Sequence, residues 1–507
     1  MPIYNVNIKW GKEMFNNVEL NMDEAPLIFK AQLFALSSVA PERQKIMVKG
    51  KIIGDSDWSN VAPVLQNGLT LMMMGSVDKL PEAPVVQTKF IEDLTESQIA
   101  QALDLPVGLK NLGNTCYLNA VVQCLKSVPE LCSGLNRFKN TGGDMSGSLT
   151  IALRDTYELM DKNKNDYPPL LLVQLVRTVF PQFSAMGENG VPMQQDANEC
   201  LTELLRVLQQ KLPRSSSAKP AHSGLIDQYF SGEFTCEMKC DEASEESSSQ
   251  SFESFLQLSC FINQDVKYLQ TGLKLRLEEK LTKNSPSLGR DALYTKTSRI
   301  SRLPGYLCIQ LVRFFYKEKE KVSAKVLKDV KFPIILDVFD LCTGELQKKL
   351  VPQRELFRVQ DEEENKVKKA KKLEELNQNG KGSEAKKATE PEKIEYAPFS
   401  FPDDEGSNNS GFYELQAVLT HKGRSANSGH YVGWAKHHKT NEWFMYDDDN
   451  VNKVSEEDIL KLSGGGDWHT AYVLFYGPRK LNAEFLNANK QADQAVSTVE
   501  STEMKID

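Results

Sequence analysis

GLKNLGNTCYLNAVVQCL, residues 108–125, runs from a Gly- and Asn-rich turn straight into an apolar segment at helical spacing that starts near Cys116. The first N–H groups of a helix have no partner inside it, and the helix dipole is positive at that end. A thiol placed there meets a field that favours the thiolate, which is the nucleophilic form. The same position also suits a small buried apolar residue, because free cysteine packs as one. The turn and helix alone do not choose between these readings.

The second piece of chemistry lies far downstream, in YELQAVLTHKGRSANSGHYVGWAKHHKTNEWFMYDDDNV, residues 413–451, which reads as strands separated by turns. His430 opens one strand and Asp447 closes the next. A turn through His437, His438, Lys439 and Thr440 places His430 and Asp447 equally far from its centre, hence directly opposite each other. Cβ atoms of such a pair stand about 4.5–5.5 Å apart, close enough for a carboxylate to accept from an imidazole N–H. The spacing therefore suggests a base with its orienting partner. In that register Asp448 falls on the other face of the strand and Asp449 pairs higher up. The bland reading is an acidic turn beside a satisfied surface histidine. His469 is a rival base. Cys116 and His430 are far apart in sequence, so only the fold can bring them together.

The rest of the chain frames these two regions. With 507 residues, the chain has room for several packed domains, at 40% hydrophobic and 8% aromatic content. Its 61 Lys plus Arg against 69 Asp plus Glu leave a net charge of −8, which excludes a predominantly basic nucleic-acid binder. No apolar run approaches the ~18 residues of a spanning helix, so a soluble intracellular protein without membrane contact is expected. Nine thinly spread cysteines do not form a disulfide framework. Cys236 and Cys240 have the spacing of half a zinc site, but no second close pair follows.

Residues 1–76 read as a separate unit of the order strand, strand, helix, strand, strand. In its last strand either Leu71 and Met73 point inward with Met72 and Met74 outward, or all three methionines fill the core. Residues 77–104 read as a linker with a short helical stretch at 96–103. Residues 105–479 are globular, apart from the charged, aromatic-poor segment 360–395, which is expected to be a mobile insertion with transient helix. Asp241–Ser251 and Arg214–Lys219 read as surface loops, glycines 464–466 as the loop before the last strand, and 480–507 as a flexible tail.

VKGKIIGD at 48–55 and TLMMMG at 70–75 make the N-terminal unit resemble a ubiquitin-like β-grasp domain, fused in place because no Gly-Gly tail ends it. NLGNTCYLNAVVQCL (111–125), QQDANECLTELL (194–205), SGHYVGW (428–434) and WFMYDDDNV (443–451) together resemble the ubiquitin-specific cysteine proteases. LPGYLCIQLVRFFY (303–316), KFPIILD (331–337) and DWHTAYVLFYGPR (467–479) agree with that, and the order of modules is similar to the proteasome-associated branch of the family.

The resemblance implies an α+β chain: a β-grasp domain followed by a papain-like fold with fingers, palm and thumb. It implies Cys116 as nucleophile, His430 as general base, Asp447 as the residue that orients it, and Asn111 as oxyanion donor. Asn111 also suits a simple turn former before Gly113. By the same resemblance Gln194, Asp196 and Tyr431 grip the C-terminal tail of ubiquitin, although Asp196 and Glu199 serve equally as first-turn acids of a helix. No metal or organic cofactor is implied. Many relatives carry two Cys-x-x-Cys pairs in the fingers, and this chain departs from them, so metal-free fingers are expected.

The implied partners are ubiquitin, polyubiquitin conjugates and the proteasome regulatory particle, met by a monomer in cytoplasm and nucleus. The expected activity is thiol-dependent hydrolysis of isopeptide bonds at ubiquitin's last glycine. The alternative is a non-catalytic ubiquitin-binding regulator of the proteasome. The Gly- and Ser-rich stretch Lys422–Gly429 is expected to form loops that cover the tail channel in the free enzyme.

Overall fold

The computed structural model describes residues 3–55, 57–76, 105–187, 190–213, 224–317, 322–378, 395–425, 428–438, 440–466 and 468–485. Two compact units result, Met1–Asp93 and Leu94–Asp507. The expected linker at 77–104, the loop at 214–219 and most of the tail lie outside the described residues. Among those described, no helix is long and apolar enough to cross a membrane.

In the first unit, β1 (Ile3–Trp10) and β2 (Glu13–Asn21) form a hairpin whose alternate residues Val6, Ile8, Val18 and Leu20 are buried. Next comes α1 (Pro26–Ser37), with proline in its first turn and Phe29, Leu33 and Ser37 on its inward stripe at a spacing of four. It ends at Ser38, whose left-handed backbone returns its N–H to the Phe34 carbonyl. Then follow β3 (Lys45–Val48), a two-residue β4 (Lys51–Ile52) not foreseen from sequence, and β5 (Thr70–Met74). The sheet order β2-β1-β5-β3-β4, with β1 parallel to β5, is a β-grasp. Leu71 and Met73 are sealed in while Met72 and Met74 are about half exposed, which decides between the two sequence readings.

The second unit begins with helices α2 (Cys116–Lys126), α3 (Pro129–Arg137), α4 (Met145–Lys162), α5 (Leu170–Val179), α6 (Ala197–Lys211) and α7 (Leu225–Phe230). Every residue of α2 from Cys116 to Leu125 is buried. Then come β6 (Gly232–Cys240), β7 (Ser249–Phe255), β8 (Gln257–Phe261), α8 (Leu269–Arg276), β9 (Glu278–Ser285), β10 (Arg290–Arg302) and β11 (Leu307–Val312). Strands β7-β6-β10-β9 form a separate four-stranded sheet. Cys236 and Cys240 both lie on β6, where four residues span about 13 Å, too far to share one ion. Cys236 meets Ser298, and Cys240 packs with Ala292 and Tyr294.

The chain continues through β12 (Phe314–Lys317), β13 (Val322–Lys325) and β14 (Ile335–Asp337) to α9 (Gly344–Gln378), so residues 360–378 of the expected insertion are helical and continue a helix that begins upstream of it. Buried Leu346, Leu350 and Phe357 anchor its first half, and the exposed charges beyond pair at helical spacing, Lys366 with Glu363 and Arg358 with Glu355. Composition alone hid this, because the anchor lies upstream of the charged run. Residues 379–394 lie outside the described residues.

Last come β15 (Phe412–Ser425), β16 (Ser428–Lys436), β17 (Trp443–Asp447), β18 (Asn450–Val454), α10 (Glu456–Leu460) and β19 (Thr470–Pro478). The central sheet runs β18-β17-β16-β15-β19-β11-β8, with β14 also paired to β15. It is packed on both faces. Tyr431 joins the core shared with α2, and its neighbour Val432 joins the core on the opposite face, as strand alternation requires. The stretch expected as covering loops is largely strand: β15 reaches Ser425 and β16 restarts at Ser428, with 426–427 outside the described residues. The expected loop at 241–251 likewise gives way to β7 from Ser249.

Candidate active site

Cys116 is the first residue of α2 and is 2% exposed. Asn111 builds the turn before it: its Oδ1 accepts from the Gly113 N–H at 3.1 Å and the Thr115 N–H at 3.2 Å. Thr115 Oγ1 accepts from the Leu112 N–H at 2.9 Å. Gly113 and Asn114 both take left-handed backbones, which glycine and asparagine tolerate best.

His430 Nε2 lies 2.5 Å from Asp447 Oδ1, with each side chain about one-third exposed. The hydrogen bond to Asp447, followed by one to Cys116, pushes the imidazole pKa up to about 10 against the opposing effect of burial. The same bond holds the Asp447 carboxyl below its usual range. The fold thus joins the three side chains that sequence spacing and resemblance singled out, and it stabilises the imidazolium form beside the sulfur.

The expected register, however, is off by two residues of pairing. Gly433 pairs with Tyr446 and Lys436 with Trp443, so the connecting loop is longer than His437–Thr440 and His430 is not directly opposite Asp447. The shift preserves the face, and the two side chains meet diagonally, a separation long side chains can span.

Asp448 was placed on the far face, but strand alternation stops at Asp447. Asp448 and Asp449 form the two-residue turn between β17 and β18, and Asp448 has φ +53°. That left-handed backbone brings its carboxylate back to the site, where Oδ2 accepts from Asn111 Nδ2 at 2.9 Å and Oδ1 from Asn119 Nδ2 at 2.8 Å. Asn119 was missed from sequence. An asparagine sealed inside the apolar run of α2 was the available signal.

Asp196 caps α6: Oδ1 accepts from the Asn198 and Glu199 N–H groups at 2.7 and 3.0 Å, while Oδ2 accepts from the Tyr472 hydroxyl at 2.8 Å. Gln194 precedes this cap, and its Nε2 is buried without a hydrogen-bond partner. The Tyr431 hydroxyl is buried as well and makes no well-formed hydrogen bond, the Ala197 N–H being its nearest donor. Beside it, at 4.7 Å between rings, sits His421, whose pKa burial drives down to about 3. His469 is held neutral by burial, its pKa near 4, and its Nδ1 faces Thr420 Oγ1 at 3.5 Å. This neutral, enclosed ring is not a partner of Cys116.

Among the described residues, His430, Asp447 and Asp448 are the one group whose ligand atoms cluster within 4.8 Å. Those atoms already bond to each other, to Asn111 or to Asn119.

The family model "Ubiquitin carboxyl-terminal hydrolase" matches residues 107–476. Ubiquitin carboxyl-terminal hydrolase 6 of Arabidopsis thaliana is 42% identical, over 94% of this chain and 98% of its own. Ubiquitin carboxyl-terminal hydrolase 14 of Caenorhabditis elegans is 39% identical over 99% of both chains. Ubiquitin carboxyl-terminal hydrolase 6 of Schizosaccharomyces pombe is 37% identical, over 94% of this chain and 99% of its own.

Proposed function

From a chain that belongs to the ubiquitin carboxyl-terminal hydrolase family and carries a joined Cys116, His430 and Asp447, we infer a cysteine-type deubiquitinase that cleaves isopeptide bonds at ubiquitin's C-terminal glycine. The observation that carries this is the His430 ring, which hydrogen-bonds Asp447 and lies beside Cys116, an arrangement that favours its protonated form.

The chemistry proceeds in two halves. The Cys116 thiolate attacks the glycine carbonyl, forming a C–S bond and an oxyanion to which the Asn111 amide is the nearby donor. As the C–N bond breaks, His430 gives its proton to the departing lysine amine. Water then attacks the thioester, His430 takes its proton, and the thiolate is released with free ubiquitin. The buried, unpaired Gln194 Nε2 and Tyr431 hydroxyl support the reading that these residues serve the ubiquitin tail, since a bound chain would supply the partners they lack.

The N-terminal unit fits a docking role. Its exposed sheet face sets Met72 between Lys9 and Met47, and Met74 beside Lys45, an apolar centre with a basic rim. Flexible thioethers suit a protein groove, and the proteasome regulatory particle is the partner to which family resemblance assigns it. A monomer of cytoplasm and nucleus completes the reading.

The experiment is reaction with ubiquitin bearing a C-terminal electrophile, followed by hydrolysis of ubiquitin conjugates, each with and without proteasomes. Adduct formation that Cys116→Ala abolishes is expected. Ubiquitin binding without any adduct, even on proteasomes, would establish the non-catalytic regulator instead.

A further inference from the structure

Helix α1 of the N-terminal unit turns no charge toward water. Its sequence, PLIFKAQLFALS, holds one charged residue, Lys30, and that side chain is directed inward to pair with Asp55. Pro26, Phe29, Lys30, Leu33 and Ser37 make up the buried stripe. The outward side repeats the pattern: Leu27, Ile28 and Phe34 are each about half exposed, and Ala31 and Ala35 lie open between them. Positions 27, 31 and 34, and likewise 28, 31 and 35, follow the spacing of an amphipathic seam. The helix thus carries two apolar stripes where a surface helix carries one, and a helix apolar all round is normally covered on both sides.

The shape and charge of this stripe select its occupant. Ala31 and Ala35 stand one turn apart with Leu27, Ile28 and Phe34 around them, a shallow groove into which the ridge of another helix fits. The N-terminal end of the stripe is acidic. Asp23 and Glu24 precede the helix, and Asp55 and Asp57 are brought to the same end by the Lys30–Asp55 pair and by Trp58, whose indole N–H donates to the Glu24 carbonyl at 2.7 Å. Four carboxylates there face the single ammonium of Lys30. The sheet face on the opposite side has the reverse sign, with Lys9 and Lys45 beside Met72 and Met74, so the two faces call for partners of opposite charge. A helix of 12 residues is about 18 Å long. One side of it offers a few hundred Å², short of the ~800 Å² per partner of a stable dimer, which makes a second copy of this chain a poor fit. A lone partner helix that is linked to a contact elsewhere on the unit needs less area.

We propose that the outward face of α1 is a second docking surface of the N-terminal unit, and that it takes an amphipathic helix with a basic end from the proteasome regulatory particle. This rests on the docking reading above, which uses the sheet face alone. The partner helix lays its apolar stripe on Leu27, Ala31 and Phe34 and sets its lysines or arginines at the Asp23 and Glu24 end. Each face makes a weak contact by itself, and together they hold the unit from two sides.

The test is binding of the full chain to immobilised proteasomes, read as Kd in low and in high salt, with thermal unfolding and sedimentation velocity on the same samples. Ile28→Gln combined with Phe34→Gln removes the apolar contact at little cost to the helix. It is expected to raise Kd about tenfold, with the unfolding midpoint within a few degrees and reaction with electrophilic ubiquitin in the absence of proteasomes unchanged. Met72→Gln should raise Kd by a factor of its own, and the two factors should multiply, because the faces lie on opposite sides of the unit. Glu24→Lys should weaken binding in low salt and have little effect in high salt. Proteasome binding by the Ile28→Gln, Phe34→Gln variant as tight as that of the unmodified chain would overturn the proposal and leave the sheet face as the docking surface. A lowered unfolding midpoint in that case would give the face to the chain's own residues 77–104, and a lost self-association would give it to a second copy. No binding of proteasomes by the unmodified chain would overturn the docking reading and this proposal together.

Discussion

The two sides of the active site differ in how completely their polar atoms are used. Around the Cys116 turn, the Asn111 amide, the Thr115 hydroxyl, the Asn119 Nδ2 and both Asp448 carboxylate oxygens have partners, while the buried Asn119 Oδ1 does not. On the other side, Gln194 Nε2 and the Tyr431 hydroxyl are buried and have none. Buried unpaired groups cost about 1–3 kcal/mol each, and a ligand that supplied the missing partners would recover that cost. The Cys116 side is the more nearly completed by folding, and the proposed tail-binding side has polar groups that a ligand could complete. Substitutions on the first should therefore act on kcat, and those on the second on KM and stability.

The largest effect is expected from Asp447→Ala, a loss of about 10²–10⁴ in kcat, the range of a general acid–base contribution. It should also move the pH profile. His430 must be protonated to serve the leaving amine, and with its pKa near 10 the alkaline fall comes late. Removing the largest upward influence lowers that pKa, so activity should fall at lower pH, as a pH series of kcat will register. Asn111→Ala follows, with about 10²–10³ lost from kcat and little change in KM; a change confined to KM would move it to the ligand side of the comparison. Gln194→Leu should raise KM about three- to tenfold at constant kcat. The smallest effect is the most diagnostic. Tyr431→Phe removes an unsatisfied hydroxyl and should raise the unfolding free energy by about 1 kcal/mol while weakening ubiquitin binding severalfold. A variant that is both less stable and equally tight would show that the hydroxyl has a partner in the free protein.

The sequence was most informative where periodicity extends over many residues. The alternation in β1 and β5 gave the element order that, with resemblance, pointed to a β-grasp, and the apolar run of α2 placed Cys116 at a helix start. His430 and Asp447 were found as a pair even though the hairpin loop was taken as too short, because a two-residue change in pairing keeps both on one face. Asp448 was lost for the converse reason: period two ends where a turn begins, and a left-handed backbone sends the side chain where no strand rule would. The helix through Gln378 was legible only as transient, because the leucines that anchor it precede the charged run that composition singled out. The joining of Cys116 to His430 is a property of the whole sheet and could come from sequence only by resemblance.

One feature of α2 carries a further consequence. A helix with no face toward water, from Cys116 through Leu125, has nowhere to slide or tilt without opening the core. The sulfur is thereby a fixed point, and control over turnover has to be exercised on what approaches it.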